Sequence, residues 1–161
     1  MSKLAVFDMK EIQPIAAYLC CKDAKAAIDF YVNGFGAEKT ETILETPDGI
    51  VMHAELNLLG RRLMLSDEFP EMGVVSPESL DGSPVALILE VEDADAFMER
   101  ALLHGATQLQ PVADQFYGKR SGQIKDPFGH RWGISMHLED LTTEELFARA
   151  AEFDPEHPGQ A

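Results

Sequence analysis

The sequence predicts an α+β fold in which two βαβββ modules form a curved eight-stranded mixed sheet around a cleft, with a C-terminal helix added. Three observations predict it. A short apolar run closed by an aspartate and followed by a helical stripe occurs twice, at Ile15–Asp23 and at Val85–Asp93. Each copy then carries an extended segment and a hairpin, and the period is roughly 70 residues, too long for a solenoid and suited to a duplicated module. A chain of 161 residues, 45% of them apolar, is the size of one domain with one core, so 1–161 is read as a single domain.

Module one spans 13–68. Ile15 to Cys21 is the length of a buried strand, and Asp23 caps the helix that follows. Ala24, Ala27, Ile28, Tyr31 and Phe35 recur at helical spacing, and Gly34 and Gly36 stop the helix before the extended stretch Glu38–Glu45. Pro47-Asp48-Gly49 marks a turn. Strands Ile50–Leu56 and Arg61–Asp67 follow, joined by a tight loop ending at Gly60.

Module two spans 85–140 and repeats the order. Val85–Val91 reads as a buried strand, Asp93 as a cap, and Ala94, Phe97, Met98, Ala101 and Leu102 as a helical stripe. An extended Gln108–Val112 and a loop through Gly118 lead to strands Ser121–Lys125 and Arg131–Met136 around the turn Asp126-Pro127-Phe128-Gly129. The connection 69–84, rich in Pro, Gly, Ser, Glu and Asp, reads as mobile and able to act as a lid. Thr142 and Glu145 form a capping box for a last helix over 142–153, whose Leu146, Phe147, Ala150 and Phe153 share an apolar face. The tail from Asp154 is expected to fray.

The net charge of −15 excludes broad contact with nucleic acid or anionic membranes, both of which need phosphate neutralisation by Lys and Arg. No apolar run approaches the ~20 residues that span a bilayer, and Met1–Gln13 lacks the pattern of a signal peptide, so a cytoplasmic location is expected. Cys20 and Cys21 are strand neighbours that point to opposite faces, which disfavours a bridge and an oxidising compartment.

The duplicated order, together with Asp126-Pro127-Phe128-Gly129-His130-Arg131-Trp132, Met52-His53-Ala54-Glu55, Met64-Leu65-Ser66-Asp67 and Phe116-Tyr117-Gly118, resembles the vicinal oxygen chelate superfamily. Glyoxalase I, fosfomycin-resistance transferases, ring-cleaving dioxygenases and bleomycin-binding proteins belong to it, and these motifs are most similar to its PhnB-like branch. The resemblance covers about residues 13 to 140. It implies a cleft that binds a small molecule, in a homodimer.

The resemblance also implies where a metal would sit. Metal-dependent members place a histidine seven residues before the capping aspartate and a carboxylate seven residues after the aspartate of the last hairpin turn. Those positions read Ala16, Ala86 and Gly133 here, and matching Gly60 to Gly129 makes Met64 the fourth. None offers an imidazole or hard oxygen donor, and neither do Ala17, Leu63, Leu65, Val85, Leu87, Trp132 and Ile134 beside them. No metal cofactor is therefore expected, and glyoxalase I chemistry, which needs a Lewis acid, is disfavoured.

Other side chains are candidates for chemistry. His53 and Glu55, two apart on a strand, share a face as an acid/base pair, half of a non-standard metal site, or an ordinary solvated pair. Lys119 and Arg120 follow Phe116-Tyr117 in the loop, where they could bind an anionic group on a ligand whose apolar part meets the aromatics, or simply be solvated. Trp132 and Tyr18 read either as stacking platforms, with Met64 and Ser66 opposite, or as core. Cys20 and Cys21 read as small core residues, and His104, His130 and His137 as structural or exposed.

Two function classes follow. One is a metal-free binding protein that sequesters a toxic or antibiotic compound. The other is a lyase or isomerase using His53 and Glu55 as acid and base or a non-standard metal. A third, a dimeric interaction module built on the last helix, stays open.

Overall fold

In the computed structural model the chain is described at Gln13 and over residues 15–153; the expected fraying from Asp154 lies outside the described residues. Among the described residues, eight strands form two four-stranded mixed sheets, with three α-helices and a short 3₁₀ turn. Chain contacts divide the molecule into two compact units. One comprises the chain to Pro84 with Pro127–His130, the other Val85–Asp126 with the chain from Arg131.

In the first unit, β1 (Ala17–Cys21) leads to α1 (Ala24–Phe35), β2 (Glu38–Glu45), β3 (Val51–Leu58) and β4 (Arg61–Asp67), in sheet order β1-β4-β3-β2. The helix starts where the sequence signals it. Asp23 accepts a hydrogen bond from the Ala26 amide at 2.9 Å, and the chain leaves through Gly36 at φ 74°. The crossover through α1 makes β1 parallel to β4, while β2, β3 and β4 are antiparallel neighbours.

Alternation does the rest. Leu19, Leu65 and Ala54 lie in one cross-strand row, Leu63 and Leu56 in another, and all five are buried on the face that α1 covers with Ala27, Ile28, Tyr31 and Phe35. Phe30, Tyr31 and Phe128 meet edge to face or tilted, with ring centroids 6.2 and 6.5 Å from Phe128. Among the described residues, no α-helix of the unit other than α1 packs on this sheet, which leaves its other face uncovered by a helix.

The second unit repeats the plan with β5 (Ala86–Glu90), α2 (Ala94–Leu103), β6 (Thr107–Asp114), β7 (Lys119–Lys125) and β8 (Arg131–His137), in order β5-β8-β7-β6. Asp93 caps α2 through the Ala96 amide at 2.9 Å. Helix α3 (Thr143–Glu152) begins with a complete capping box between Thr142 and Glu145.

Four expectations need correction. The strand predicted over Ile15–Cys21 starts only at Ala17, and Ile15 is exposed. The strand predicted as buried over Val85–Val91 is a five-residue edge strand, Ala86–Glu90, with Ile88 and the preceding Val85 exposed, because among the described strands it pairs with β8 alone and α2 packs on β6, β7 and β8. Strand β7 begins at Lys119, two residues earlier than predicted, so Lys119 and Arg120 belong to a ladder and not to a loop. The connection 69–84 is bonded rather than loose. Phe69 bridges Val74, Ser76 is fully buried with its amide donating to Glu68 at 2.7 Å, and successive turns run from Ser76 to Gly82.

Candidate functional site

The hairpin β3–β4 positions the first candidate residues. Its two-residue turn puts both Leu59 (φ 52°) and Gly60 (φ 77°) in the left-handed region, the backbone of a tight hairpin turn, so Leu58 pairs with Arg61 and the register is set outward from there. Glu55 falls opposite Met64, and Asn57 opposite Arg62. The parallel pairing of β1 with β4 adds Tyr18 beside Met64 and Cys20 beside Ser66. Alternation therefore collects Tyr18, Met64, Glu55, His53, Arg62 and Ser66 on the helix-free face of the first sheet.

Four of them touch in a chain. The Tyr18 hydroxyl lies 3.0 Å from His53 Nδ1, His53 Nε2 lies 3.4 Å from Glu55 Oε1, and Arg62 Nη1 lies 3.5 Å from the same oxygen. Tyr18 is half exposed, whereas the Glu55 side chain is only 15% exposed, so the chain runs from an open phenol to a sheltered carboxylate. Asn57 Oδ1 and Arg62 Nε, neighbours in the next row, are buried polar atoms without a hydrogen-bond partner among the described residues. Ser66 is buried, and its hydroxyl donates to the Asp67 carbonyl at 3.0 Å.

Asp67 braces this sheet. One carboxylate oxygen accepts from the Ala24 amide at the start of α1 at 2.8 Å, and the other from the Val51 amide at the start of β3 at 2.6 Å. Beside it, burial, then the charges of Glu68 and Asp67, push the Cys20 thiol up to about 11, which leaves it protonated and poorly nucleophilic at neutral pH.

The candidates from module two are scattered. Trp132 is 2% exposed in a row with the buried Ile124, and its indole N–H donates to Asp126 at 2.8 Å. Of its two readings, stacking platform or core, its surroundings match the core. Arg120 does not stand free for an anionic ligand: it forks onto Asp95 at the start of α2, at 2.6 and 2.8 Å, and reaches Asp114 at 2.7 Å. Those bonds hold its guanidinium protonated well above its ordinary range and pull the Asp95 carboxyl down. Lys119 pairs with Glu90, lowering that carboxyl through the hydrogen bond and the ammonium charge. The Tyr117 hydroxyl shares a hydrogen bond with Ser121 at 2.9 Å. A separate hollow of about 680 Å³ is bordered by Phe116, Arg120, Leu138, Glu139, Arg149 and Phe153, with Arg149 bound to Glu139 at 2.6 Å across it.

The strand pairing also bears on the metal positions. Tyr18–Met64 and Ile88–Gly133 are equivalent pairs, each with its β1 or β5 residue five before the capping aspartate, so Met64 and Gly133 correspond. A Cβ built on Gly133 would come within 2.6 Å of Ile88 Cδ1, so an isoleucine fills the space that a side chain at 133 would need. Ala16, Met64, Ala86 and Gly133 supply no imidazole, carboxylate or thiolate, and the described residues contain no group of three or more His, Cys, Asp or Glu placed to hold a metal ion. The family's metal does not fit these positions.

Sequence reasoning had missed Arg62 and Asp67. The two-residue loop ending at Gly60 carried enough information to place Arg62 beside Glu55, since it fixes the pairing of 57 with 62 and of 55 with 64.

Comparison with known proteins places these observations in a family context. The profile of the glyoxalase/bleomycin resistance protein/dioxygenase superfamily matches residues 11–134. The uncharacterized protein Mb0911c of Mycobacterium bovis is 39% identical over 137 residues, covering 83% of this chain and 90% of its own. The uncharacterized protein At5g48480 of Arabidopsis thaliana is 30% identical over 126 residues, covering 73% and 74%, and its crystal structure superposes with a TM-score of 0.57 over 79% of this chain and 98% of that one. A PhnB protein from Bacillus cereus shares the fold, with a TM-score of 0.59 and 22% identity over 77% of this chain and 99% of its own.

Proposed function

We propose, for a chain that belongs to the glyoxalase/bleomycin resistance protein/dioxygenase superfamily, that it binds a small molecule on the helix-free face of its first sheet without the metal of the superfamily's metal-dependent members. The observation that carries this reading is the composition of that face. A connected polar chain, Tyr18–His53–Glu55–Arg62, lies next to a thioether at Met64 and to two unpartnered polar atoms, while the metal positions themselves hold only apolar groups and a glycine. Convergent polar groups beside an aromatic ring and a thioether can orient a bound organic molecule.

The charge of −15 favours a neutral or cationic ligand over an anionic one, and Arg120 and Lys119, the cations that could have reversed this, are taken up by carboxylates. Tyr18 and Met64 add aromatic and polarizable surface for its apolar part. Sequestration of a toxic or antibiotic compound by a cytoplasmic homodimer is the corresponding role. No helix among the described residues is long and apolar enough to cross a membrane. A second reading, a lyase or isomerase with His53 and Glu55 as acid and base, is favoured by one observation, the contact of His53 with a hydroxyl on one side and a carboxylate on the other.

A thermal-shift screen of antibiotics, thiol adducts and phosphonates tests the binding reading. A ligand at a hundred times its Kd stabilises the native state by about 2.7 kcal/mol, which moves the melting point by several degrees. Elemental analysis and native mass spectrometry before and after chelation are expected to find no stoichiometric metal, and one tightly held metal per chain overturns the metal-free reading. With a hit in hand, His53→Ala leaves binding largely intact if the protein only binds, and abolishes turnover if it is an enzyme.

A further inference from the structure

The contacts around His53 have a direction. A carboxylate offers only lone pairs, so the imidazole nitrogen that faces Glu55 must be the one that carries hydrogen. In the neutral ring the other nitrogen, Nδ1, is then an acceptor, and the Tyr18 hydroxyl 3.0 Å away is its donor. Arg62, at 3.5 Å from the same Glu55 oxygen, helps to hold the carboxylate against the ring. We propose that Tyr18, His53 and Glu55 form a proton relay whose working end is the Tyr18 oxygen, acting on an uncharged ligand that carries a carbonyl or hydroxyl group.

The arrangement is that of an activated hydroxyl, an orienting imidazole and a third group that fixes the imidazole. Tyr18 is the half-exposed member, and the groups behind it are progressively sheltered, so a ligand meets the phenol oxygen first. As a ligand O–H or acidic C–H gives its proton to the Tyr18 oxygen, the phenolic proton passes to His53 Nδ1, and the imidazolium so formed lies against Glu55. Return of the proton to the same or a neighbouring ligand atom restores all three groups, with no oxidant or further reactant consumed. The neighbours set the ligand's charge: Met64 and the protonated Cys20 thiol are neutral, and Arg62 already faces Glu55, so it is not left over to pair with an anionic group. This inference rests on the ligand lying on the same face, but it can be read without knowing that ligand.

The molecule contains its own control. Tyr117 is 41% exposed against 50% for Tyr18, yet its hydroxyl partner is Ser121, which is no base, and Tyr31 is buried. Phenylmethanesulfonyl fluoride reports the difference: the phenol oxygen forms a bond to sulfur, fluoride leaves, and the phenolic proton goes to His53. Peptide mass spectrometry of the full-length protein at neutral pH should show Tyr18 labelled about tenfold or more faster than Tyr117. His53→Gln should bring Tyr18 down to the rate of Tyr117 without changing Tyr117, and Glu55→Gln should produce a partial fall. Circular dichroism of each variant, and the unchanged Tyr117 rate within it, separate loss of the relay from loss of the fold. Equal rates at Tyr18 and Tyr117, or a Tyr18 rate indifferent to His53→Gln, overturn the relay. A thermal-shift screen without hits weakens the binding reading but leaves this ratio intact, so the two failures are distinguishable.

Discussion

Replacing Asp67 by asparagine should destabilise the first unit out of proportion to so small a change. The carboxylate accepts from the Ala24 amide through one oxygen and from the Val51 amide through the other, and both of those residues are fully buried. Asparagine is isosteric but has one acceptor and one donor, so one of the two amides must face an N–H. Leaving a buried donor unsatisfied costs about 1–3 kcal/mol. Loss of a negative charge at the start of α1 adds about 0.3–1 kcal/mol. The expected total for Asp67→Asn is about 1.3–4 kcal/mol, and for Asp67→Ala, which strands both amides, about 2.3–7 kcal/mol. In a chain of this length each kcal/mol lowers the melting point by about 2–4 °C, so the asparagine variant should melt about 3–16 °C below the parent. Urea unfolding followed by far-ultraviolet circular dichroism measures it, with the exposed turn variant Asp48→Asn as a control for charge alone, expected within about 0.5 kcal/mol of the parent. An Asp67→Asn variant as stable as that control would show that the carboxylate does not brace the sheet that carries Tyr18, His53 and Glu55.

Trp132→Phe should cost about 2–4 kcal/mol by urea unfolding, since it removes a buried hydrogen bond to Asp126 and leaves part of the indole volume empty, while the affinity for any ligand found by thermal shift stays within about threefold. Hydrogen bonds from Ser76 first, then Ser79, hold the Glu68 carboxyl down from 4.5 to about 2. A depressed folded-state value contributes stability that is present above about 4.5 and lost as the pH falls towards about 2, so Glu68→Gln should be less stable than the parent at neutral pH and converge with it as the pH falls through that interval, flattening the acid limb of the stability profile. Leu59→Asn should raise the melting point by about 2–4 °C, because leucine at φ 52° pays the left-handed penalty of about 1 kcal/mol that asparagine largely avoids in an Asn-Gly turn.

The fold was legible because its signals are local. Asp23 and Asp93 as caps, Gly36 as a stop, the Thr142–Glu145 box and the turn ending at Gly60 each act within a few residues, and each produces the element read from it. Burial of β5 was misread for the opposite reason. An apolar run such as Val85–Val91 has the composition of an interior strand, but exposure depends on which strands and helices flank it, and only β8 lies beside β5. The connection 69–84 misled similarly: its polar composition suggested looseness, yet a carboxylate at Glu68 and two serines suffice to tie it down.

The candidate site divides along the same line. On the first sheet, period-two alternation and one tight turn determine which side chains share a face, so Tyr18, His53, Glu55 and Met64 could be grouped from the sequence. In module two the same parity rule is not applied to Lys119 and Arg120, because the predicted strand starts two residues later and leaves both in the loop. With β7 beginning at Lys119, Arg120 falls in the row of Met136, where α2 can offer it Asp95, and Lys119 falls in the row of His137 on the other side. Two adjacent cations that a loop would have presented together are thereby sent to opposite faces, each to a carboxylate of its own. The consequence is chemical as well as geometric: with those cations neutralised, what the chain leaves open on a helix-free face is the phenol of Tyr18, backed by an imidazole and a carboxylate. Proton transfer at that oxygen, and not charge attraction by Lys119 and Arg120, is the chemistry on which a functional assay should concentrate.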